Sequence, residues 1–80
     1  MQENKKFNFT LLRAFMQVHL DKEHTTIKDT LKPLKMSERK FNKILNNEIE
    51  FSLNDIFLLK HILYIPDNMI QRVFFDKLEV

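Results

Sequence analysis

The densest chemistry in the chain is cationic. Between positions 28 and 43 stand Lys28, Lys32, Lys35, Arg39, Lys40 and Lys43, opposed only by Asp29 and Glu38, a local charge of +4. Ammonium and guanidinium groups at this density attract a polyanion. Positions 44–80 reverse the sign, with Lys60, Arg72 and Lys77 against Glu48, Glu50, Asp55, Asp67, Asp76 and Glu79, or −3. The formal charge of the whole chain, +2, conceals this division. The pattern predicts a polyanion on one side of the molecule only. The plain alternative is two solvated helix faces that differ in charge.

Other chemistries find no support in the residues. His19, His24 and His61 are widely separated and lack metal-ligand spacing, so no metal or cofactor is expected. The absence of Cys excludes a disulfide scaffold, a thiolate zinc site and a cysteine nucleophile. With no Gly there is no phosphate-binding Walker loop, dinucleotide fingerprint or glycine-rich oxyanion loop. No nucleophile–base or paired-carboxylate arrangement is visible, so neither an enzyme nor a small-molecule substrate is expected. At 80 residues the chain predicts one domain over 1–80, and 44% apolar residues with eight Phe can supply its core. No apolar run approaches the length of a membrane span, and no apolar stretch of a secretion signal follows the start, so an intracellular, cytoplasmic setting is expected.

Capping residues and apolar spacing indicate the elements that must position these groups. Asn8 is placed to cap a first helix over 9–20, with Phe7 and Leu12 as a hydrophobic staple and Leu12, Phe15, Met16 and His19 at helical spacing. The polar run Asp21-Lys22-Glu23-His24-Thr25 is expected to end it. Thr26 with Asp29 fits a capping box for a short second helix, which Pro33 must interrupt. Ser37 caps the third, with Phe41, Ile44 and Leu45 on its apolar face, and Asn46-Asn47 closes it, because Asn tolerates a left-handed backbone. Ser52 with Asp55 opens a fourth helix over 53–63. Pro66-Asp67 stops that helix and starts a fifth, which turns Ile70, Val73 and Phe74 inward. The tail 75–80 alternates apolar and polar residues, as a short extended strand does.

The block over 36–70, MSERKFNKILNNEIEFSLNDIFLLKHILYIPDNMI, resembles the Cro/repressor helix-turn-helix family of phage and bacterial regulators. Met36-Ser37 matches the opening of that family's recognition helix and Asn46-Asn47 its closing turn, followed by a Ser-capped helix and an Ile-Pro-Asp turn. Phe7-Asn8-Phe9 and the ending over 73–80 look closer still to small Cro-like proteins and to modulator-of-repression antirepressors. The resemblance implies an all-α, five-helix domain with the helix-turn-helix at about 26–46. It implies a regulator of a lysogeny switch in a bacterial host, with operator DNA or the phage repressor as partner. Three positions depart from the family pattern: Leu31 where a small residue is usual, Lys35 where Gly is usual, and Ile27 where a Gln often contacts the DNA backbone.

In such a fold the second helix of the motif lies in the major groove. Here it would present Ser37, Glu38, Arg39, Asn42, Lys43 and Asn46. Arg39 suits guanine, Asn42 adenine, and Glu38 the amino group of cytosine. Lys28, Lys35, Lys40 and Lys43 are placed for phosphates. A second possibility is an antirepressor, in which Glu38 beside Ile27 and Met36 docks on the basic surface of a repressor. In the fourth helix Phe57 and Leu58 lie off the stripe of Ile56, Leu59 and Ile62-Leu63. With Phe74 and Phe75 they form a candidate surface for self-association, or else they complete the core.

Overall fold

The computed structural model describes residues 6–77 and shows an all-helical chain, with five α-helices and two 3-10 turns among the described residues. The first helix, α1, spans Thr10–Glu23. Its start differs from the expectation on Asn8, because Phe9 occupies the capping position and makes no side-chain cap. The Asn8 Oδ1 instead accepts from the Thr10 N–H at 3.0 Å and from the Thr10 hydroxyl at 2.6 Å, forming a turn ahead of the helix. α1 also continues through Asp21, Lys22 and Glu23, since Lys and Glu are good helix formers and nothing there removes a donor. It stops at His24, whose backbone is left-handed (φ 53°) and whose N–H returns to the Leu20 carbonyl.

α2, Ile27–Leu31, is capped by Thr26, whose hydroxyl accepts from the Asp29 N–H at 3.1 Å. Pro33 then tightens the chain into a 3-10 turn, Lys32–Leu34, where its missing N–H costs nothing because it falls in the first turn. Lys35 follows at φ 53°, in the left-handed region where the related pattern has Gly. α3, Glu38–Leu45, is capped by Ser37, whose Oγ accepts from the Lys40 N–H at 3.0 Å. Asn47 takes the left-handed position (φ 63°) that closes the helix, as expected.

α4, Leu53–Ile62, begins with a complete capping box, the Ser52 hydroxyl accepting from the Asp55 N–H and the buried Asp55 carboxylate from the Ser52 N–H. It ends before Pro66 is reached. Tyr64 adopts φ 56°, and the Ile65 N–H closes onto the Lys60 carbonyl at 2.9 Å. A 3-10 turn, Asp67–Met69, leads into α5, Ile70–Phe74. No strand forms among the described residues. The expected extended tail appears only as an isolated antiparallel bridge between Phe7 and Lys77, and residues 78–80 of it lie outside the described residues.

α1 packs on α5, α2 on α3, and the 3-10 turn after α2 on α4. Leu12, Leu31, Ile44, Leu59, Val73 and Phe74 fill the centre. Phe51, in the loop before α4, joins the layers. Its ring meets the edge or face of Phe9 at 5.8 Å and of Phe74 at 5.6 Å, both nearly perpendicular, and tilts against Phe41 at 6.3 Å. Such pairs add about 0.5–1.5 kcal/mol each beyond their buried area. No helix among the described residues is long and apolar enough to cross a membrane.

Candidate functional site

The 3.6-residue repeat of α3 separates its side chains cleanly. Phe41 and Ile44 point into the core and Leu45 is half-buried, which fixes the helix on its inner face. Glu38, Arg39, Lys40, Asn42, Lys43 and Asn46 are all exposed, with Ser37 exposed at the cap. Arg39, Asn42, Lys43 and Asn46 follow spacings of three and four, so they share one side of the helix. The structure therefore brings the proposed reading residues together on a rigid element.

The phosphate candidates are arranged around the first turn of α3. Lys28 and Lys35, together with Lys32, Met36, Ser37 and Glu38, line an open depression there. The Lys32 ammonium lies 3.3 Å from the Asp29 carboxylate, and both groups are well exposed, so the pair holds little energy. Lys40 is exposed within the first turn of α3 but outside that depression.

Two expectations about apolar side chains change. Met36, read as part of a protein-docking surface with Ile27 and Glu38, is only 7% exposed and belongs to the core. Its N–H bonds back to the Leu31 carbonyl at 3.4 Å, which turns the side chain inward beneath the α2–α3 connection. Of the two readings of Phe74, self-association or core, the structure leaves the core, since at 2% exposure it packs against Phe51. Phe75 and Leu58 are half-buried, and only Phe57 of that group is open, at 58%.

Ile27 is half-buried and lines a groove between α1, α2 and α3 with Leu20 and Leu45. Arg13 and Gln17 of α1 border the same groove beside Asn42. These two polar residues escaped the sequence reading because they sit on another helix. Their spacing of four, next to core-facing Leu12 and Met16, was the available signal. Leu53 and Tyr64, 81% and 80% exposed, were also missed as apolar surface. Compared with known proteins, the chain matches no family model, no curated protein and no solved structure.

Proposed function

We propose that the chain is a transcription regulator of the Cro/repressor type, with α2 and α3 as its helix-turn-helix and operator DNA as its ligand. The observation that carries this reading is the exposed polar side of α3, anchored from beneath by Phe41 and Ile44 and flanked at its first turn by Lys28, Lys32 and Lys35. With its side chains an α-helix is about 10–12 Å across, which fits a major groove about 12 Å wide. In this mechanism lysines on phosphates set affinity and position, and Arg39, Asn42 and Asn46 read base edges. Glu38, at the mouth of the groove, repels phosphates and limits binding to sites where a cytosine amino group donates to its carboxylate. The protein then acts in the cytoplasm of a bacterial host, as part of a lysogeny-type switch.

A second reading keeps the same face and changes the partner. Ile27, Leu20 and Leu45 give the groove beside Asn42 an apolar floor, and Glu38 remains exposed. An antirepressor would use these to cover the basic reading helix of a phage repressor. Met36, being buried, takes no part.

Fluorescence anisotropy with duplex DNA flanking the gene, across a salt series, separates the two. Sequence-selective binding with a log–log salt slope of roughly −3, as three or four neutralised phosphates require, supports the regulator. Absence of selective binding, with release of the neighbouring repressor from the same duplex, establishes the antirepressor.

A further inference from the structure

Beyond the closing turn of α3 lies a space that the described side chains surround but do not fill. Phe7 and Phe9 ahead of α1, Phe51 in the loop before α4, and Phe74 and Phe75 at the end of α5 line a cavity of about 190 Å³, partly open to solvent. Protein interiors seldom leave a void larger than a water molecule, and an apolar cavity of about 150 Å³ takes a benzene ring. The walls are held in place. Phe51 stands nearly perpendicular to Phe9 and to Phe74, and Phe7 to Phe75 at 6.2 Å. In such a pair the ring that offers its edge keeps both faces for other neighbours. Phe7, Phe51 and Phe75 are only half-buried, so each retains ring surface for an occupant.

The polar part of the lining carries one sign of charge. Glu48 and Glu50 both belong to it and are exposed, and no ion pair engages either among the described residues. The amide of Asn47, also in the lining, is committed to the backbone of Phe7. The Glu48 N–H bonds to the Lys43 carbonyl at 2.8 Å, which fixes this side of the rim to the end of α3. Among the described residues no Lys, Arg or His lines the space. Lys6, Asp76 and Lys77, next in sequence to the Phe walls, are exposed and stay outside the lining.

We infer that this cavity binds a small organic cation with a single-ring apolar body, of the arylalkylamine class. Aromatic rings attract a cation through their quadrupole, and the apolar body displaces water from them. The two carboxylates at the rim meet the ammonium group where solvent still reaches it, so no unpaired charge is buried. An anion would face the same carboxylates with no basic group to receive it. A neutral ring gains the apolar contacts alone.

This inference is independent of what α3 binds, and its test uses neither DNA nor a repressor. The full chain, isotope-labelled and followed by amide NMR, is titrated with phenethylammonium. The Phe7, Ile49 and Phe51 backbone amides and the Asn47 side-chain amide are expected to shift together and saturate, with a dissociation constant of about 0.1–1 mM. Phenethyl alcohol and phenylacetate, which keep the ring and change the charge, should bind at least about fivefold more weakly. Glu48→Gln with Glu50→Gln, both at exposed positions, should leave circular dichroism unchanged and reduce phenethylammonium to the affinity of the alcohol. Absence of saturable shifts at these residues overturns the site, as do shifts spread over all acidic surfaces, the mark of adventitious attraction. Equal binding of the three probes, or indifference to the double variant, overturns the assignment of a cation.

Discussion

The side-chain amide of Asn47 takes both backbone groups of Phe7, 40 positions away in sequence. The Phe7 N–H donates to Oδ1 at 2.8 Å, and Nδ2 donates to the Phe7 carbonyl at 3.1 Å. Asn47 thus serves as a one-residue strand edge for the incoming chain, while its own backbone turns left-handed to end α3.

Two roles at one position can be separated by substitution. Asn47→Gly keeps the left-handed backbone and loses the amide, which should cost about 1–2 kcal/mol. Asn47→Ala loses both, and should cost about 2–4 kcal/mol. Urea unfolding of the three proteins is expected to give the order Asn, Gly, Ala, and equal losses for Gly and Ala would show that the backbone conformation contributes nothing.

At Lys35 stability and charge are expected to move in opposite directions. The residue holds φ 53° with a Cβ that this region disfavours. Lys35→Gly should stabilise the fold by roughly 0.5–1 kcal/mol, the relief of strain exceeding the added freedom of the unfolded chain. The same change removes one phosphate candidate, so the salt slope of DNA binding should fall in magnitude by about 0.9. Thermal unfolding and anisotropy on one preparation check both.

Within α3, Arg39 and Lys40 are adjacent yet face different directions, and they should fail differently. Arg39→Ala is expected to cost about 1–3 kcal/mol on the preferred duplex and to relax preference at one base pair. Lys40→Ala should weaken all duplexes alike. Competition titrations with single-base variants of the duplex distinguish the patterns, and a uniform loss for Arg39→Ala would remove it from the reading set.

Asp67 gives the fold a small acid dependence. Its hydrogen bond to Lys60 and, secondarily, the charge of that ammonium hold its carboxyl below the ordinary 3.8. Because the folded value is the lower one, the contribution is present above pH 3.8 and disappears as pH falls through the folded value. Asp67→Asn should therefore lower Tm slightly at neutral pH, and the gap should close in strongly acid solution. Melting curves of both proteins across that range show whether it does; a gap independent of pH would assign it to something other than ionisation.

What could be read from the sequence was what neighbours in sequence decide. Thr26, Ser37 and Ser52 declare their helices because a hydroxyl three residues before a free N–H needs no distant partner. The buried and exposed sides of α3 follow from its period alone. Asn8 misled because the same short polar side chain serves a turn as readily as a cap, and Thr10 offered it two donors. Met36 is misplaced for a different reason, whereas Phe74 falls inward as its place in the fifth helix requires. Whether an apolar residue at an element's end faces inward depends here on Leu31, which comes from the preceding helix. The clasp of Asn47 on Phe7 is equally non-local, and no spacing rule announces it.

The pairing of Phe7 with Lys77, reinforced by the Asn8 N–H on the Asp76 carbonyl at 2.6 Å, brings the two ends of the described chain to one corner. Asn47 fixes that corner to the C-terminal end of α3, away from its basic first turn. A circularly permuted chain, joined there by a short linker and reopened beside the exposed His24, should retain the same helices. Domains joined directly at Phe7 and Lys77 would also emerge side by side, so two different cargoes could be attached to this scaffold at a single vertex.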